Sequence, residues 1–316
     1  MEPGRIEELT KTTKSFGETF QIVQPGIVAH LYLPGPVRPL GPLAADCIER
    51  FLSFIGRRSI THYWADNGYM KPLDDRRLNR DLKGLRNLSD KADEFSIEYT
   101  DIPHGGSAGQ SIYLLGRQGD PLSPDQLSLI RFEFLPNALD QLGETNLIRF
   151  VLNEATQLQA QSGNLGWSFK RGGAFESEAT REVNKLLPRY LGFDPCYRLA
   201  ARKMRGHTAW AHWINLVHRD LFEQCGGEAV LRRETPNAEL ATADELYVIR
   251  GSKIPPVGDV NRGAKDLGEL PGVARFLKPT RIQLTGLGDS EFDAEAWLAR
   301  FDDLELRPWD NSGVVS

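Results

Sequence analysis

At 316 residues, with 40% hydrophobic and 26% charged side chains, the chain lies in the globular range and is long enough for one large domain or two ordinary ones. A net charge of −5 argues against a nucleic-acid binder, which is more often basic overall. No apolar run approaches the roughly 20 residues that span a bilayer, and Met1 to Lys14 is polar and unlike a signal peptide, so a cytoplasmic protein with no membrane partner is expected.

Residues 1–17 read as a loose arm. Phe20 to Leu33 is rich in β-branched and apolar residues and predicts a strand or hairpin interrupted at Pro25-Gly26, with Pro34-Gly35-Pro36 ending it. Ala44, Cys47, Ile48, Phe51, Leu52 and Ile55 form one apolar stripe at helical spacing, with Pro42 suited to the first turn and Gly56 to the position past the end. Ile60 to Ala65 predicts a strand, Asp66-Asn67-Gly68 a turn, and the charged stretch 71–92 short helix and loop. Three strand signals follow, at Phe95 to Tyr99, Ser111 to Leu115 and Ile130 to Phe134. In the last, Arg131 and Glu133 alternate with apolar residues, as in a strand with one buried and one wet face.

The second half interleaves its elements. Leu147 to Leu158 predicts a helix, Leu165 to Phe169 a strand, and Ala179 to Leu187 a helix that Pro188 stops. Thr208 to Ile214 predicts a strand entering a helix over Leu216 to Cys225, closed by Gly226-Gly227. Leu246 to Ile249 is a strand and Ala294 to Phe301 a short amphipathic helix. The fold class expected is α+β, with largely antiparallel sheets, packed helices and two lobes: 18–140, rich in strands, and 141–305, followed by a tail at 306–316.

Signals for chemistry are thin. Cys47, Cys196 and Cys225 are odd in number, far apart and without metal-ligand spacing, and read as reduced thiols in a core. In a helix, spacings of five and six do not place His207, His212 and His218 on one face, and in extended chain the five-residue gap puts His207 and His212 on opposite faces. Asp289, Glu291, Asp293 and Glu295 suggest a calcium loop, but its sixth and twelfth positions are Ala294 and Arg300 rather than Gly and Glu. Gly286-Leu287-Gly288 has Glu291 where a dinucleotide fold needs its third glycine. Ser107, in Gly105-Gly106-Ser107-Ala108-Gly109, is followed by a strand rather than the helix of a nucleophile elbow. No metal, cofactor or small-molecule substrate is expected. From Gly286 onward eight acids face only Arg300 and Arg307, an end suited to a basic partner.

Several ordered motifs carry a resemblance. These are Arg181-Glu182-Val183, the run Leu186 to Pro195, Arg205-Gly206-His207-Thr208, Ala211-His212-Trp213-Ile214-Asn215, Gly258-Asp259-Val260-Asn261-Arg262-Gly263, Leu277-Lys278-Pro279-Thr280-Arg281, and Phe292-Asp293 to Phe301. Together, over most of 160–303, they resemble the type VI secretion immunity family, once catalogued as a domain of unknown function and linked to VRR-Nuc toxins. The resemblance implies a protein without a reaction of its own, whose partner is a cognate nuclease toxin of the type VI secretion system.

A DNA-cleaving partner must present a basic cleft, which acidic side chains can fill. The partner-binding candidates are therefore Asp289, Glu291, Asp293, Glu295, Asp302 and Asp303, with Trp297 or Trp309 as anchor. Arg205, His207, His212, Trp213, Asp259, Asn261 and Arg262 are read as structural, the last three in a turn held by Asp and Asn side chains. Two alternatives stand beside this reading: immunity to an effector that is not a nuclease, and a hydrolase using His207 or His212 with Asp259.

Overall fold

Alternating apolar residues along eleven strands build a single antiparallel sheet in the computed structural model, which describes residues 6–15, 17–34, 37–65, 68–88, 94–102, 106–117, 125–196, 198–283 and 294–302. The strands are β1 (Lys11–Ser15), β2 (Glu18–Leu33), β3 (His62–Trp64), β4 (Met70–Pro72), β5 (Glu94–Thr100), β6 (Ser111–Arg117), β7 (Ser128–Phe134), β8 (Ser162–Arg171), β9 (Ile214–His218), β10 (Glu239–Ala243) and β11 (Leu246–Arg250). Their order is β10-β11-β9-β8-β2-β7-β6-β5-β3-β4, with β1 paired to the start of β2. The α+β class and antiparallel pairing expected from the sequence are those observed. The sheet continues across residue 140, because β2 is bonded to β8 from Val23–Arg171 to Tyr32–Ser162.

β2 does not break at Pro25-Gly26, contrary to the expected interruption. On one side of β2, β1 ends opposite Val23 and β7 begins opposite Ile27, so Pro25 falls in a gap between two partners. A missing N–H is cheapest where no ladder needs it. Gly26 has a separate reason: a Cβ there would lie 2.5 Å from Lys170 Cε and 2.6 Å from the Phe134 carbonyl oxygen.

Helices cover one face. α1 (Val37–Ile55) carries the expected stripe, and Gly56 follows it at φ 90°, a left-handed position that glycine takes without a Cβ clash. Helix α1 begins earlier than expected, which places Pro42 inside it rather than in its first turn. Asp74 caps α2 (Asp75–Arg86) by accepting from the Arg77 N–H. Phe51 and Phe54 of α1 meet Phe150 of α3 (Glu144–Gln157) and Phe132 and Phe134 of β7, with Phe54 stacked on Phe150 at 4.5 Å. This aromatic block is the centre of the main core.

A second apolar cluster joins α5 (Arg219–Gln224), α6 (Gly227–Glu234) and α7 (Leu270–Leu277) to β9 and β11, through Phe222, Leu231, Ile249, Val273 and Phe276. The remaining helices are α4 (Glu176–Leu186), which ends before Pro188, and α8 (Ala294–Leu298). The expected helix from Leu216 begins later: Leu216 and Val217 are strand, and α5 starts at Arg219 once His218 accepts from the Asp220 N–H.

Candidate functional site

Register fixes which side chains share the sheet's second face. His30 lies opposite Arg131 and Asn164, Arg131 opposite Tyr113, and Tyr113 opposite Glu98. Glu133 lies opposite Ser111, and Ser111 opposite Thr100. Side chains alternate along a strand, so Ser168 and Lys170 join them. This face is polar from β8 to β5. All seven residues of β7 are buried, so the wet face expected for Arg131 and Glu133 is a buried polar one. Two buried charges are tolerable because they are paired: Arg131 Nε lies 2.9 Å from Glu133 Oε1, and Ser111 Oγ donates to Glu133 Oε2 at 2.8 Å.

The β8-β2-β7 part of the face is covered by the chain between Tyr190 and Asn215. Asp194 bridges to Ser168, and His212 packs on Gly166, where a Cβ would stand 2.2 Å from His212 Nδ1. Trp213 N–H donates to that Nδ1 at 3.0 Å, which leaves the ring proton on Nε2, 3.2 Å from Asp194 Oδ2 in a contact short of full hydrogen-bond geometry. Asp194 Oδ1 accepts from the Cys196 N–H at 2.6 Å. Burial pushes the Asp194 carboxyl up, but the contacts with His212, His30 and the Ser168 hydroxyl outweigh it and hold the group at about 2.

His30 donates through Nδ1 to Asn164 Oδ1 at 3.1 Å and turns Nε2 toward Cys196 Sγ at 3.9 Å. The grouping looks like a thiol site, but its protonation state opposes one. Burial pushes the Cys196 thiol up to about 12 and lowers His30, so both are held neutral. All three cysteines are free and buried. Among the described residues, no group of three or more His, Cys, Asp or Glu could hold a metal ion.

The motif residues named from sequence fall in separate places. His212 and Trp213 belong to the buried network, and Trp213 Nε1 also donates to the Ser252 carbonyl. His207 Nδ1 meets the Thr280 carbonyl oxygen at 3.2 Å, and Arg205 Nη2 donates to the Gln126 carbonyl. Asp259 accepts from Arg189 Nε at 3.1 Å and from the Asn261 N–H at 3.1 Å, with Arg262 Nε 3.7 Å away. The Arg189 hydrogen bond is the chief reason the Asp259 carboxyl is held below the usual carboxylate range. No hydrogen bond or ion pair among the described residues joins His207 or His212 to Asp259, the pairing behind the hydrolase alternative.

The acidic end is described only in part. Asp289, Glu291, Asp293 and Asp303, with Trp309, lie outside the described residues. Trp297 is buried against Trp210 at 5.2 Å under the Arg300 guanidinium, which makes it a core residue rather than an exposed anchor. Asp302 accepts from both Arg281 terminal nitrogens at 2.8 Å and lies 3.1 Å from Lys278 Nζ, so its charge is neutralised within the chain. Glu295 is half-buried on α8.

Sequence reading singled out His212 but not its partner Asp194, nor His30, Asn164 and Lys170. The signal available was a set of polar residues recurring at period two inside otherwise apolar strands.

Comparison with known proteins gives two findings. The model of a family described as type VI immunity for VRR-NUC matches residues 44–301. The fold is similar to that of the solved Pseudomonas aeruginosa T6SS protein PA0821, at a TM-score of 0.74 and 18% identity, over 92% of this chain and 85% of that one. No curated protein sequence matches the chain.

Proposed function

The chain belongs to the family of type VI immunity proteins for VRR-NUC, and on that footing we propose that it binds a cognate nuclease toxin in the cytoplasm and blocks its DNA-binding active site. The observation that carries this reading is the family match from Ala44 to Phe301, which takes in strands β3 to β11 as well as the motif-bearing second half. The interior supports a binder rather than an enzyme. The Cys196–His30 pair is buried and neutral, and among the described residues no bond joins His207 or His212 to Asp259.

The mechanism follows from charge. A nuclease cleft must be basic to hold a polyanion, and acidic side chains presented to it gain association rate by steering and exclude DNA by occupancy. Asp302 and Trp297 are engaged internally, so the C-terminal contribution falls chiefly to Asp289, Glu291, Asp293 and Asp303. Reversal of Asp289, Glu291 and Asp293 to Lys is expected to weaken toxin affinity by about tenfold or more and to flatten its salt dependence. Titration at two ionic strengths checks this, and unchanged affinity with unchanged salt dependence would remove the segment from the interface.

A further inference from the structure

Past Cys196, toward β6 and β5, the described residues leave the same polar face open. A cleft of about 280 Å³ runs over β7, β6, β5 and the β3–β4 hairpin. Its floor holds the buried Arg131–Glu133 pair, one side carries Glu98 and Thr100, and the rim carries Trp64 and Glu176. A smaller recess shares Arg131, Glu133 and Glu176 and reaches Cys196. Trp64 is 37% exposed and the adjacent Tyr69 is 69% exposed, two of the five large apolar side chains exposed among the described residues. Aromatic side chains left in water beside a recess are typical anchors of protein interfaces.

The two bases of the cleft are already engaged. Arg131 faces Glu133 at 2.9 Å and Glu98 at 3.8 Å, while Arg171 donates to Thr180 Oγ1 at 2.8 Å and to the Cys196 carbonyl. Three carboxylates line the same space, and that of Glu176, at the start of α4, is exposed and without an ion pair among the described residues. Thr100 is buried in the cleft wall, so the groups the cleft presents to a ligand are Trp64 and the carboxylates.

An exposed aromatic and an exposed carboxylate lining one cleft suit a guanidinium, which stacks on a ring while its N–H groups reach oxygen acceptors. We propose that this cleft receives an arginine side chain of the nuclease toxin, an anchor separate from the acidic C-terminal segment. The inference rests on the immunity reading, since the toxin's basic DNA-binding surface supplies the arginine.

The test uses full-length protein and the purified toxin. Trp64→Ala and Glu176→Arg are each expected to raise the toxin Kd about tenfold or more, with melting temperature unchanged. Glu178→Arg, an exposed change of equal charge on the same helix but outside the cleft, is expected to shift it less than threefold. N-acetyl-arginine methylamide, titrated without toxin, is expected to perturb Trp64 fluorescence in the wild type and not in Glu176→Arg. Toxin bound equally by wild type, Trp64→Ala and Glu176→Arg would overturn the cleft and leave the immunity reading intact. An equal loss in Glu176→Arg and Glu178→Arg would reduce the effect to long-range charge and also overturn it. Failure of the wild type to bind any toxin would overturn both readings together.

Discussion

Lys170 places an ammonium where no solvent reaches it. Its Nζ donates to the carbonyls of Gly109 at 2.6 Å and Phe134 at 3.2 Å, and burial lowers its pKa to about 8. Between about 8 and 10.5 the unfolded chain binds the proton that the folded chain has released, so stability rises with pH across that window. The gain is about 3 kcal/mol, and Lys170→Met is expected to abolish it; urea unfolding at several pH values reads the slope.

Asp194 works in the opposite range. Its carboxyl is held at about 2, against 3.8 ordinarily, so it contributes stability above pH 3.8 that is lost as pH falls through 2, about 2 kcal/mol in all. Removing the charge while His212 stays buried beside it is costlier at neutral pH. Asp194→Asn is expected to destabilise the fold by about 3 kcal/mol or more, and a loss below 1 kcal/mol would mean that the pair is not what holds the cover on the sheet.

Element by element, apolar periodicity was a good guide where one face decides the structure. The α1 stripe, β5, β7, α4 and β11 lie close to where their side-chain patterns place them. Short or polar elements were not legible: β1, β4, β10 and α6 carry too little apolar pattern, and their existence depends on the neighbours they pair with or pack against. β2 was misjudged because the rule that proline stops a strand is a statement about hydrogen-bond demand, and only the pairing shows that demand to be absent at Pro25.

The loop around Asp259 belongs to the same scale. Asp259 ties Arg189 to the 260–262 turn, while Asp266 accepts from the Val257 and Gly258 amides at 2.7 and 3.0 Å. Asp259→Ala is expected to speed hydrogen exchange at Asn261 by tenfold or more without changing β8 or β9, because only a local tether is lost. Exchange that quickens equally across the sheet would show instead that the tether supports the whole fold.

At the scale of the molecule, the two faces of one sheet divide the work. Helices α1 and α3 bury the apolar face around Phe51, Phe132 and Phe150, and that burial is the main source of stability. The opposite face is polar: half is sealed by the Asp194–His212 cover, and half is left open beneath Trp64. Charges such as Arg131 and Glu133 looked solvent-facing in sequence, since alternation reports two faces but not what covers each. The same limit hid the cleft, whose lining comes from six strands spread along the sequence from β3 to β8. The family motifs gave the biological setting, and the buried network shows why one of them is built as it is: His212 belongs to the structure that closes the sheet.

The most direct test of immunity is co-expression of this chain with its cognate VRR-Nuc toxin, followed by isolation of the complex and a DNA-cleavage assay. Restored growth, with a stable complex that no longer cuts DNA, is the expected result. Unrelieved toxicity, or a complex that forms and still cleaves DNA at the rate of the free toxin, would contradict the account.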